Sequence, residues 1–106
     1  MSAIAQPPVR RVRLENGLTV VVASRPGVPL AAVRLMVRAG SSLDPAGRFG
    51  LAHLVASAVR RGTRTRTGAE LDAEVEALGA ELGAGVDEDA ASVGLSAPLE
   101  ALPRLL

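Results

Sequence analysis

The sequence predicts an α+β fold, an antiparallel-rich sheet with helices packed on one face, and three features carry that reading. Asn16-Gly17 sits between two apolar runs and is a strong hairpin signal, because both residue types tolerate positive φ. The hydrophobic period changes from two to that of a helix at Phe49. Thr67-Gly68-Ala69-Glu70 then forms a capping box, the signature of a second helix start.

The elements follow in order. Residues 1–11 read as a flexible lead, with Pro7-Pro8 favouring extended chain. Val12 to Leu14 and Leu18 to Ala23 are the arms of the hairpin, and Pro26-Gly27 with Pro29 makes the next loop. From Ala31 to Arg38 the residues alternate, Val33, Leu35 and Val37 on one face, Arg34 and Arg38 on the other, as in a half-buried strand. Gly40 to Gly47 is loop. Phe49 to Arg61 is a helix whose apolar face is Leu51, Leu54, Val55, Ala58 and Val59, closed by Gly62. The capped helix carries Leu71, Val75 and Leu78 towards the sheet and ends at Gly79. Ala80 to Ala84 and Ala90 to Ser96 are strands around an acidic turn, and Leu99 to Leu106 is a last helix with Pro98 or Pro103 in its first turn.

Composition excludes several classes of function. A chain of 106 residues makes one domain at most. Twelve basic against eleven acidic residues leave a net charge of +1, which argues against a nucleic-acid surface. All twelve Lys/Arg-type cations are arginine, which reads as the codon bias of a GC-rich bacterial genome rather than as a functional device. The cluster Arg60, Arg61, Arg64 and Arg66 reads as a solvated helix end complementing the dipole, with an anionic partner surface as the alternative. Glu70, Asp72, Glu74 and Glu76 read as a solvated helix face. Asp87-Glu88-Asp89 lacks the spacing of a calcium loop and reads as a hairpin turn. Without cysteine there is neither disulfide nor thiolate metal site. No segment has the length of a membrane span or the form of a signal peptide, so a cytoplasmic protein is expected.

The most specific stretch is Gly50-Leu51-Ala52-His53-Leu54-Val55-Ala56-Ser57, with Gly62-Thr63 beyond it. In the inverted zincin motif, His-x-x-Glu-His, two histidines and a glutamate share one helix face. The histidines hold zinc, and the carboxylate takes a proton from the metal-bound water. Here His53 occupies the first position, Ala56 the general-base position and Ser57 the second ligand position. A methyl cannot accept a proton, and a neutral hydroxyl is a poor zinc ligand beside imidazole. Taken alone, a single histidine on an apolar helix reads as a core or half-buried residue satisfied by one hydrogen bond.

Together with Leu14-Glu15-Asn16-Gly17-Leu18, Ala39-Gly40-Ser41-Ser42, Asp44-Pro45, Glu70-Leu71 and Leu78-Gly79-Ala80, this stretch resembles the insulinase, pitrilysin and mitochondrial processing peptidase family of zinc metallopeptidases. The resemblance runs from Val12 to Leu106. It implies that residues 12–106 are the N-terminal portion of a larger peptidase-like α+β domain, truncated where the apolar stripe Leu102, Leu105 and Leu106 stops. It also implies a degenerate, non-catalytic member: no catalytic residue, a vestigial His53, and no metal or cofactor expected in this chain. Zinc would belong to a catalytic partner subunit of the same family, with peptide substrates in a chamber shared by the two. The family's third zinc ligand, a glutamate, lies further along than Leu106. The alternatives are a structural scaffold subunit, like the core proteins of the respiratory cytochrome bc1 complex, and an inactive fragment.

Overall fold

The computed structural model describes residues 6–106, so the first part of the expected lead, residues 1–5, lies outside the described residues. Strand β1 (Val9–Arg13) pairs antiparallel with β2 (Thr19–Ala23). The strand begins earlier than the sequence pattern suggests. Val9 lies opposite Ala23 and Arg13 opposite Thr19, so pairing with the whole apolar run of β2 recruits Arg10 and Arg11 into the ladder. The turn also differs from the two-residue form. Gly17 has φ 87° while no non-glycine residue among those described has positive φ, and the Gly17 N–H donates to the Leu14 carbonyl at 2.9 Å. That is a three-residue loop, a type I turn completed by a left-handed glycine. Asn16 serves through its side chain, accepting from the Leu18 N–H at 3.0 Å.

Strand β3 (Leu30–Val37) leads into a glycine-bearing loop, helix α1 (Leu51–Ala58) and a 3₁₀ turn at Val59–Arg61. Helix α2 (Gly68–Ala77) follows, then strands β4 (Glu81–Val86) and β5 (Ala91–Pro98). A 3₁₀ turn at Leu99–Ala101 and the short helix α3 (Leu102–Leu105) close the chain, with Pro103 in the first turn of α3. The strands form two sheets: the β1–β2 hairpin, and an antiparallel sheet ordered β3-β5-β4. No helix among the described residues is long and apolar enough to cross a membrane.

Register sorts the three-stranded sheet into two unlike faces. Val33, Leu95 and Leu82 align across it, as do Leu35, Val93 and Ala84, giving one apolar face. Arg34, Gly94 and Gly83 align on the other, beside Ala32, Ser96 and Glu81. Along β4, Leu82, Ala84 and Val86 are half-buried while Glu81, Gly83 and Gly85 are exposed, so the apolar face is the side the helices cover. The cover is partial, since every residue of β3 except Ala31 is exposed.

Helix α2 is built from both ends by its local sequence. The Thr67 hydroxyl accepts from the Glu70 N–H at 3.2 Å, and the Glu70 carboxylate accepts from the Thr67 N–H at 2.7 Å, completing the capping box. At the other end Gly79 is left-handed, with φ 64°, and the Ala80 N–H reaches the Val75 carbonyl at 3.0 Å in a Schellman closure. Of the expected apolar stripe, Val75 is buried and Leu71 and Leu78 are half-buried.

The accessible surface is 8799 Å². A folded chain of 10.8 kDa ordinarily exposes about 5,500 Å², so roughly 3,300 Å² is in excess. The buried apolar residues among those described are Val75, Ala97 and Ala101.

Candidate functional site

Helix α1 is aimed by a carboxylate in the loop before it. Asp44 Oδ2 accepts from the Gly50 N–H at 2.7 Å and Oδ1 from the Ala52 N–H at 2.9 Å. A charged group thus satisfies two of the orphan donors of the helix N-terminus and complements its dipole. Gly50, the N-cap residue, is left-handed, with φ 91°. The loop is anchored at its other end on the β4–β5 turn. Ser41 N–H donates to the Asp87 carbonyl at 2.9 Å and Ser42 N–H to the Glu88 carbonyl at 3.0 Å, and Gly40 is buried so closely under the turn that a Cβ there would run into Glu88 and Asp89 backbone. Asp87 holds that turn, accepting from the N–H groups of Asp89 and Ala90, and these hydrogen bonds lower its carboxyl pKa below the ordinary 3.8. The acidic run is a turn, as its spacing predicted.

The helix face differs from its sequence pattern. Leu51, Leu54, Val55 and Val59, expected in the core, are 38–68% exposed. The half-buried stripe is Ala52 and Ala56, along which α1 runs against β4 and β5. Small residues allow close helix–sheet approach, and the larger apolar side chains next to them find no cover in this chain.

His53, Ala56 and Ser57 therefore occupy adjacent positions of one exposed turn with unlike surroundings. His53 is exposed, not the half-buried residue that an isolated histidine suggested. Ala56 is half-buried. Ser57 is exposed, and its Oγ donates to the His53 carbonyl at 2.9 Å, so the hydroxyl proton is spent on the helix backbone. As a donor set, one imidazole, a methyl and this hydroxyl do not fit a catalytic zinc, which takes three strong protein ligands and a water. Among the described residues no three His, Asp or Glu side chains come together as a metal-binding group.

After α1 the backbone turns back at Gly62, with φ 134°, and Gly62 bridges to Thr67. The Thr63 hydroxyl accepts from the N–H groups of Thr65 and Arg66 at 3.2 and 3.1 Å and rounds off the loop. The arginine cluster is not simply a solvated helix end. Arg60 pairs with Asp72 at 2.8 Å and Arg66 with Glu74 at 2.6 Å, tying this loop to α2. Both pairs are exposed and contribute up to about 1 kcal/mol each. Two acids of the supposedly solvated α2 face are thereby accounted for. On the same helix the cap hydrogen bonds from Thr67 backbone and side chain lower the Glu70 pKa below its ordinary 4.5.

The sheet, the α1–Gly62–α2 succession and the histidine helix with its altered face define a metallopeptidase-like α+β domain. Comparison with known proteins agrees. The sequence model of the family described as "Insulinase (Peptidase family M16)" matches residues 19–106, and the chain belongs to that family. It is 35% identical over 78 residues to the mitochondrial-processing peptidase subunit beta of Blastocladiella emersonii, covering 74% of this chain and 17% of that one. It is 27% identical over 100 residues to cytochrome b-c1 complex subunit 1 of Caenorhabditis elegans, covering 94% of this chain and 21% of the relative. The crystal structure of the "peptidase M16 inactive domain" from Pseudomonas fluorescens superposes with a TM-score of 0.84 at 26% identity, over 92% of this chain and 24% of the other. The chain thus spans about a fifth of the length of these relatives.

Proposed function

We propose that this chain is part of a non-catalytic member of the insulinase family. On this reading it supplies chamber wall and a substrate- and partner-binding surface to a catalytic subunit that carries the zinc. The observation that carries the proposal is the vacated helix: the Asp44 cap, the Ala52–Ala56 packing stripe and the Gly62 turn are all in place around positions that offer one imidazole and no base. The fold match to a structure named an inactive domain of the same family supports it. The unpaired outer edge of β4 lies beside α1, and its backbone groups suit an extended peptide in the shared chamber. In this role the protein works in the cytoplasm, requires no metal or cofactor of its own, and forms a heterodimer with its peptidase partner.

Metal analysis after dialysis at neutral pH tests the central claim. The expected result is no stoichiometric zinc, and one tightly held zinc per chain would overturn it. The combined substitution Ala56→Glu and Ser57→His in the full-length protein should raise zinc binding, whether or not proteolysis returns. Co-purification from the native host tests the partner: a subunit bearing His-x-x-Glu-His is expected. A second reading, a structural scaffold subunit, is favoured by the relative from the cytochrome b-c1 complex, which aligns with nearly the whole chain. Recovery within a membrane complex, with no peptidase subunit or activity, would move the assignment there.

A further inference from the structure

We propose that α1 is positioned from the β4–β5 turn, with the loop between β3 and α1 acting as a strut and Asp87 as its positioning residue. The links are hydrogen bonds that follow one another without a gap. Asp87 Oδ1 accepts from the Asp89 and Ala90 N–H groups at 2.9 and 2.7 Å, and the Asp87 N–H donates to the Ala90 carbonyl at 2.9 Å, which fixes the turn. The Asp87 and Glu88 carbonyls of that turn accept from the Ser41 and Ser42 N–H groups. Those serines open a 3₁₀ turn, Ser41–Leu43, in which the Leu43 N–H donates to the Gly40 carbonyl and the Asp44 N–H to the Ser41 carbonyl, both at 3.1 Å. Asp44 follows with φ −59° and ψ 130°, the extended backbone that Pro45 favours in the residue before it. Its carboxylate then reaches the Gly50 and Ala52 N–H groups at the start of α1.

Little in this series can give. Gly40 lies so close to the Glu88 carbonyl that even a methyl there would force the backbone to shift. The helix has a weaker hold of its own, since it runs against β4 and β5 along Ala52 and Ala56. Small residues set how near a helix lies to a sheet, but they offer no bulky ridge to fix it lengthwise. Among the described residues no hydrogen bond joins Asp87, Glu88, Asp89 or Ala90 to α1 directly, so the loop is the hydrogen-bonded route between them. Every link lies between residues of this chain, and none requires a surface to be open. The inference concerns the helix that bears His53 and does not depend on the catalytic-partner reading. Coupling of this kind is carried by a contiguous network and is measured by the failure of two substitutions to add.

Residue-resolved hydrogen exchange of the full-length protein is the test. Asp44→Ala removes the last link and provides the reference, with faster exchange at Gly50, Ala52 and Leu54. Asp87→Ala removes only the acceptor within the turn, yet it should speed exchange at the same three amides by roughly threefold to tenfold. Leu71 and Leu78 of α2 should keep their rates. In the double variant α1 should exchange no more than about twofold faster than in Asp44→Ala alone, because both changes act through one strut. Asp87→Asn keeps an Oδ1 acceptor and should restore near wild-type rates. Should Asp87→Ala not fold, Asp87→Ser, a weaker acceptor of the same kind, should give a smaller rise at the same amides. Unchanged α1 rates in these turn variants would overturn the proposal, as would an Asp87→Asn effect as large as that of Asp87→Ala. So would effects that multiply in the double variant, which would route the coupling through β4 packing, or a rise shared equally by α2, which would mark general destabilisation.

Discussion

Val75 is the most informative position at which to perturb the packing. It sits on α2 against β4, is 8% exposed, and is one of three buried apolar residues among those described. Val75→Ala removes two methyl groups, worth about 0.8 kcal/mol each in transfer free energy, or about 1.6 kcal/mol together. The residual cavity brings the total to about 2 kcal/mol. With a urea dependence of about 1–2 kcal/mol per molar for a small domain, the unfolding midpoint should fall by roughly 1–2 M. Val75→Asp should cost several kcal/mol, since it buries a carboxylate where the neighbouring Arg60 is already paired with Asp72, and should abolish the cooperative transition. Glu76→Ala, one residue along on the exposed face, is the control and should shift stability by less than about 0.5 kcal/mol. Urea unfolding followed by far-ultraviolet circular dichroism reads all three. Equal midpoints for wild type and Val75→Ala would refute the packing of α2 on β4.

Two further outcomes follow from the loops and caps. Asp44→Ala should destabilise the domain by about 1–2 kcal/mol through loss of the α1 cap, measured by thermal unfolding, and Asp44→Asn should recover part of that loss. Glu70 and Asp87 have folded pKa values lowered by the hydrogen bonds they accept, so their stabilisation is present above the ordinary values of 4.5 and 3.8. It is lost as pH falls through the still lower folded values. Stability should therefore decline with acidification below about pH 4.5, and Glu70→Gln should flatten that decline; an unchanged slope would discount the cap.

Short-range chemistry is what the sequence displays most openly. The α2 capping box, the glycine closures at Gly62 and Gly79 and the alternation of β3 are each decided within a few residues, so they are legible without tertiary information. The same holds for the family and for the altered helix: His53, Ala56 and Ser57 are read at fixed spacing, and the motif residues around them span most of the chain. Only the three-dimensional structure decided the rest. Arg60 and Arg66 look like solvent-facing charges until α2 brings Asp72 and Glu74 to them. Asp44 looks like a loop residue until the chain folds back to cap α1 six and eight residues later. Gly40 requires its hydrogen only because the β4–β5 turn closes over it. The apolar face of α1 illustrates the limit from the other side. Its periodicity correctly announces a helix, but burial depends on what lies opposite, and this chain brings only the Ala52–Ala56 stripe into close contact with the sheet. Periodicity specifies which side chains can be buried together; which of them are buried is a property of the surfaces that tertiary structure places against them.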